Sequence, residues 1–285
     1  MSTQSSKKVR PEQQQPRPGK EKKMRPVPDT SPLYSNQKLL DKVALITGGD
    51  SGIGKATALL FASHGADIAI AYLSETEDAL TTQEEIKMMG RRCLLIKGDL
   101  SKETNCKKAI DQTIDQFSRL DILINNAALH WEKEKIEDIT TEQLEKTFYT
   151  NFFSYFWMTK YAMPHLKEGS TIVNTASVTA YRGSPKLIDY AASKGAIVSF
   201  TRSLAQNLSE KKIRVNAVAP GPIWTPLIAS TFDEEKVSKF GSDKPMGRAG
   251  QPNEVATCFL FLASEDSSYM SGQCLHPNGG EIING

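Results

Sequence analysis

Tyr190 and Lys194 stand four residues apart in Asp189-Tyr190-Ala191-Ala192-Ser193-Lys194, within a stretch compatible with a helix. That spacing puts a phenol and an ammonium on one face of one turn. At about 4 Å and an effective dielectric of about 20, the positive charge favours the phenolate by roughly 4 kcal/mol, or roughly 3 pKa units. Burial opposes part of that. A phenol drawn towards neutrality is a usable general acid or base. An isolated Tyr-x-x-x-Lys is more often a ring packed on a lysine stem, so the pair needs support from the rest of the chain.

The first support is a turn. The apolar run Val43-Ala44-Leu45-Ile46 predicts a short buried strand. It leads into Thr47-Gly48-Gly49-Asp50-Ser51-Gly52-Ile53-Gly54, and then into a helical pattern from Lys55 to His64. Strand, glycine turn and helix together make a phosphate cradle. Glycines admit the ligand to the backbone, and the helix start offers unpaired N–H groups and a partial positive charge. The same residues partly fit a P-loop, but Ala56 stands where a nucleotide triphosphatase needs a magnesium-holding hydroxyl.

Further along, the strand Asp121-Ile122-Leu123-Ile124 runs into Asn125-Asn126-Ala127-Ala128, and Ser170 to Asn174 predicts another that ends near Ser177. Asn151 sits in an aromatic helical stretch. With Thr47-Gly48-x-x-x-Gly52-Ile53-Gly54, Asn125-Asn126-Ala127, Asn151, Ser177, Tyr190-x-x-x-Lys194 and Pro220-Gly221 in this order, the chain resembles the short-chain dehydrogenase/reductase family from Leu40 to its end. Ala128 departs from the glycine usual there, a methyl-sized change.

Seven strand candidates alternate with helical segments: Val43–Ile46, Asp67–Tyr72, Cys93–Lys97, Ile122–Asn125, Thr171–Thr175, Arg214–Ala219 and Gln273–His276. The expected fold is α/β. A single doubly wound Rossmann-type domain spans 39–285, its seven-stranded, mainly parallel sheet covered by helices on both faces. Ligands are then expected at the carboxyl ends of the strands.

Residues 1–38 differ, being rich in Gln, Pro, Lys and Arg, and are expected to form a mostly disordered basic arm. The arm carries about +6 and the remainder about −4 of a net charge of +2. It has neither the apolar core of a signal peptide nor the amphipathic pattern of a transit peptide. Cys93, Cys106, Cys258 and Cys274 lack metal or redox spacing and read as reduced thiols in a cytoplasmic protein. The four histidines are scattered, so no metal site is expected. No apolar run reaches membrane-spanning length. A nucleic-acid role for the arm is disfavoured.

The resemblance implies roles. Tyr190 would pass a proton to or from the substrate oxygen. Lys194 would lower its pKa and bond the nicotinamide ribose. Ser177 would hold the substrate oxygen, and Asn151 a water that serves Lys194. Cofactor contacts would come from Gly48, Ser51, Gly52, Ile53 and Gly54 at the pyrophosphate, and from Tyr72, Asp99 and Leu100 around the adenosine. Asn125, Ala127, Tyr190 and Lys194 would lie along the ribose, and Pro220, Ile223 and Thr225 at the nicotinamide amide. The cofactor would be NAD or NADP. Tyr72-Leu73-Ser74 offers no cation for a 2′-phosphate while Glu75 and Glu77 are close, which favours NAD.

The expected activity is interconversion of an alcohol and a carbonyl by hydride transfer, on a small-molecule substrate. The other class of function is a dinucleotide-binding sensor or scaffold without turnover. Leu129-His130-Trp131, Val178 to Pro185 and a lid from Trp224 to Met246 would wall the substrate. The segments Pro252 to Ala263 and Gln273 to Gly280 resemble the family's subunit contacts and imply a homotetramer.

Overall fold

The computed structural model describes Lys8, residues 10–28, Thr30 and residues 37–283. Strand β1 (Val43–Thr47) is apolar on both faces, as a strand covered on both sides must be. Its side chains alternate. Ala44 and Ile46 enter one hydrophobic cluster with Leu59, Leu60 and Phe259, whereas Val43 and Leu45 enter another with Cys106, Ile110 and Met158. One core therefore lies on each face of the sheet.

The elements follow the expected alternation: α1 (Gly52–Ser63), β2 (Asp67–Tyr72), α2 (Thr76–Met88), β3 (Cys93–Lys97), α3 (Glu103–Phe117) and β4 (Ile122–Asn125). Then come α4 (Thr141–Phe148), a π turn (Tyr149–Phe153), α5 (Ser154–Ala162), β5 (Thr171–Thr175), α6 (Thr179–Arg182), α7 (Ile188–Asn207) and β6 (Arg214–Val218). Two short helices, α8 (Pro226–Thr231) and α9 (Glu234–Lys239), form the lid region, before α10 (Pro252–Ala263) and β7 (Cys274–Leu275). The strand order is β3-β2-β1-β4-β5-β6-β7, and every pairing is parallel. The order reverses between β1 and β4, and the loops leaving there diverge to open a crevice.

Some boundaries differ from expectation. β7 is two residues rather than four, because only Cys274 and Leu275 find partners, on Ala217 and Val218. α1 begins at Gly52, inside the glycine turn and ahead of the expected Lys55, with Ser51 as its N-cap.

Of the arm, residues 1–7, 9, 29 and 31–36 lie outside the described residues. Residues 10–28 take a defined course. Arg10 N–H donates to Ser238 O, Gln15 N–H to Ala229 O (2.7 Å), and Glu21 N–H to Asp78 Oδ2 (3.3 Å), so the segment runs from α9 over α8 to the start of α2. The physical reason is local. Met24, one of the arm's few large apolar side chains, is fully buried with Trp224, Ile228 and Val237. That burial contributes roughly 2 kcal/mol. The Trp224 indole N–H donates to Pro26 O at 2.5 Å, and the Arg10 guanidinium lies 4.3 Å above the same ring.

Candidate active site

A cleft of about 460 Å³ opens at the switch between β1 and β4. Its walls bring together Gly48, Ser51, Gly52, Ile53, Tyr72, Asp99, Leu100, Ala127, Ser177, Tyr190, Lys194, Pro220, Ile223 and Thr225. A larger hollow of about 750 Å³ beside Arg202, Gln206 and Gln273 contains none of them.

The glycine turn is built for close approach. Gly48 and Gly52 hold φ of 63° and 54°, where a side chain would be strained. A methyl on Gly54 would lie 1.9 Å from Gly48 O, so this residue lets α1 seat against the turn rather than touching the cleft itself. Ser51 makes no side-chain cap, which leaves the first N–H groups of α1 for other acceptors. One of them, Gly52 N–H, donates to Glu21 Oε2 of the arm at 2.8 Å.

Tyr190 and Lys194 occupy the first turns of α7. Asp189 anchors that end: its carboxylate accepts from Thr147 Oγ1 (2.8 Å), Gln143 Nε2 (3.0 Å) and Tyr190 N–H (2.9 Å). Lys194 is fully buried, and its Nζ donates to Thr175 O at 2.7 Å and to the Tyr155 hydroxyl at 3.5 Å. The ammonium lies 5.6 Å from the centre of the Tyr190 ring.

Here the expected electrostatics need correction. Burial pushes the Tyr190 phenol up to about 12, and only its hydrogen bond with Ser177 pulls the other way. Burial also pushes Lys194 down to about 7. The lysine is held by Thr175 rather than by the phenol, so desolvation outweighs the charge pairing assumed from spacing alone. Ser177 Oγ accepts from Thr179 N–H (3.2 Å) and Thr179 Oγ1 (3.0 Å), which leaves its own proton to donate.

Asn151 and Asn125 do not line the cleft. Asn151 lies within the π turn, and its amide is spent on Leu129. Oδ1 accepts from Leu129 N–H, and Nδ2 donates to Leu129 O, both at 2.9 Å. Its third contact, 3.2 Å to Ser193 Oγ, touches the residue before Lys194. The Asn151 side chain is thus a brace between α7 and the Leu129 wall. Asn125 Nδ2 is bonded to Asn174 Oδ1 (2.9 Å) beneath the sheet edge, so its side chain is structural.

With that geometry in hand, relatives are informative. The sequence profile described as enoyl-(acyl carrier protein) reductase matches residues 48–281. The uncharacterized oxidoreductase YhdF of Bacillus subtilis is 57% identical over 275 residues, covering 96% of this chain and 95% of its own. The chain belongs to the short-chain dehydrogenase/reductase family. Glucose and ribitol dehydrogenase of Daucus carota is 52% identical (96% of this chain, 97% of its own), and NADPH-dependent aldehyde reductase 1 of Arabidopsis thaliana 51% (96% and 98%). Among solved structures, a Burkholderia cenocepacia short-chain dehydrogenase in complex with NADP superposes with a TM-score of 0.81, at 32% identity over 85% of this chain and 98% of that one. The Brucella melitensis 3-ketoacyl-(acyl-carrier-protein) reductase complexed with NADH gives 0.78, at 34% identity and the same coverage.

This short-chain dehydrogenase/reductase is therefore an oxidoreductase that uses NAD or NADP. Its residues fit that cofactor: Gly48 and Gly52 line the cleft at positive φ, a turn free of side chains beside the positive end of α1. Where the loops after β2 and β3 wall the cleft, Asp99 pairs with Lys146 (3.1 Å). Burial alone would raise its pKa, but bonds from Ser101 and Lys146 hold it below the ordinary value.

Sequence reasoning missed several wall residues. Asn126, rather than Asn125, faces the cleft and donates to Thr47 O at 3.0 Å. Asp50 lies beside Ser51, and burial, with Asp78 and Glu21 nearby, pushes it up to about 7. Arg17, Pro18 and Gly19 of the arm complete the rim. The only available signal for these arm residues was Gly19 among prolines, and it reads equally as a loop.

Proposed function

We propose that this oxidoreductase interconverts an alcohol and a carbonyl, with Tyr190 as the general acid/base. The observation that carries this reading is a half-buried phenol that shares with Ser177 and Lys194 the cleft that the glycine turn opens into. A phenol near 12 is fully protonated at neutral pH, so it is a ready proton donor and suits reduction of a carbonyl. Ser177 donates its free proton to the substrate oxygen, orienting it and stabilising charge that develops there. Lys194 titrates near neutrality and its ammonium form stabilises the phenolate left after transfer. When bound, the nicotinamide supplies the hydride in reduction and accepts it in oxidation.

The names of the Daucus carota and Arabidopsis thaliana relatives support aldehydes, sugars and polyols as the substrate class. NAD is the preferred cofactor in this reading. Asp50, Glu75 and Asp99 stand at the adenosine end, and the cations there are already paired, Lys20 with Glu75 (3.3 Å) and Lys146 with Asp99. The enzyme assembles as a homotetramer. Exposed Tyr149, Phe153 and Phe156 form an aromatic patch of the kind that monomers seldom leave uncovered.

The test is consumption of NADH and NADPH with a panel of aldehydes, ketones and sugars, and Tyr190→Phe alongside. Wild type should turn over at least one carbonyl, and the variant should lose about 100-fold or more in kcat while still binding cofactor. Equal turnover would remove Tyr190 from the chemistry. Cofactor binding with no turnover on any substrate would favour a sensor.

A further inference from the structure

Charge is unevenly spread along the cleft. The acidic side chains on its walls, Asp50, Glu75 and Asp99, all lie at the adenosine end, among the glycine turn and the loops after β2 and β3. In the half around Tyr190 the charged wall residues are both cations, Lys194 and the arm's Arg17. Arg17 is held in place on two sides. Its guanidinium lies 4.8 Å from the centre of the Trp131 ring, and its Nε donates to Ser230 O of α8 at 3.2 Å. No carboxylate among the described residues forms an ion pair with it, and only its Nε has a hydrogen-bond partner there. Guanidinium groups fixed by stacking, with terminal N–H pairs free, suit bidentate capture of a carboxylate or phosphate.

Position ties this cation to the chemistry. His130 packs edge-on against Tyr190 with ring centres 4.9 Å apart, and it is buried. Arg17 is close enough to disfavour the charged form of His130. One imidazole thus separates the guanidinium from the phenol. His130 Nδ1, buried and without a partner, offers a further polar atom on that path.

Resting on the carbonyl reading above, we infer that Arg17 selects the substrate: the preferred carbonyl compounds carry a carboxylate or phosphate a few bonds from the reacting carbon. The arm is then part of the substrate site, and its docking on α8 is what places the cation at the mouth.

The experiment compares kcat/KM within matched pairs on the full chain with saturating reduced cofactor: succinic semialdehyde against butanal for carboxylate, and glyceraldehyde 3-phosphate against glyceraldehyde for phosphate. Wild type should favour the charged member of at least one pair by about tenfold, chiefly through KM, and added salt should shrink the ratio. Arg17→Gln should bring that ratio near one, and Arg17→Lys should restore part of it. The pair that responds tells carboxylate from phosphate. Ratios near one in wild type, or a preference that survives Arg17→Gln, would overturn the assignment while leaving the oxidoreductase reading intact. Failure of all four compounds to consume reduced cofactor would overturn the carbonyl reading for this class, and this inference with it.

Discussion

The two halves of the cleft are made from different materials. The adenosine half comes from the sheet's own carboxyl edge: the glycine turn after β1 and the ends of β2 and β3. The catalytic half borrows its roof from distant segments, α8 and the N-terminal arm, which meet at Gln15 to Ala229 and Arg17 to Ser230. The first depends on backbone fit, where one methyl is too much. The second depends on docking, so it can be loosened in steps.

The sharpest way to break the first half is Gly54→Ala. The added methyl meets Gly48 O at 1.9 Å, and backbone cannot yield cheaply. Calorimetric titration should show cofactor affinity at least about tenfold weaker, with roughly 1–3 kcal/mol lost in stability. Unchanged affinity would mean that the turn does not bear on the cofactor.

The second half should yield more gently. A methyl on Gly19 would fall 2.3 Å from Pro226 O, but the arm can lift away. Gly19→Ala should therefore raise substrate KM several-fold and lower Tm by a few degrees, with a smaller effect on cofactor affinity. Steady-state kinetics beside cofactor titration reads both, and a larger change in the cofactor constant would reverse the comparison.

The smallest effect concerns pH. Burial holds His130 neutral, its pKa pushed down to about 3 from 6.5. Between those values the unfolded chain binds the extra proton, so stability rises with pH across the window and is lost as pH falls through it. His130→Gln should flatten this dependence. Comparing denaturant midpoints at pH 6.5 and 5.5, the wild type should lose about 1 kcal/mol more than the variant.

The contrast between the halves also explains what was legible in the sequence. Buried parallel strands announce themselves as short apolar runs, and Val43, Leu45, Ile122 and Ile172 placed three strands within a residue of their bounds. The glycine turn and Tyr190-x-x-x-Lys194 carry local spacing, so both are legible in the sequence. The phenol's ionisation is not, because spacing reports a neighbouring charge while burial is a property of the whole fold. The bracing contacts of Asn151 were hidden for a related reason. Its two bonds to Leu129 require the π turn, and no periodicity marks that extra residue. The arm was hardest. Its composition is that of a solvated tail, and only Trp224, Ile228 and Val237 give Met24 a place to go.

That arm has a consequence for how the protein is made. Trp224 lies 198 residues beyond Pro26, and Phe240 lies 230 beyond Arg10. A ribosome delivers the arm some 200 residues before its resting place. Contacts of such separation form slowly, after the intervening sheet has closed. A nascent chain must therefore carry this basic segment without its anchor until those later residues emerge, and the rim of the cleft closes only when earlier-made residues settle onto later-made ones.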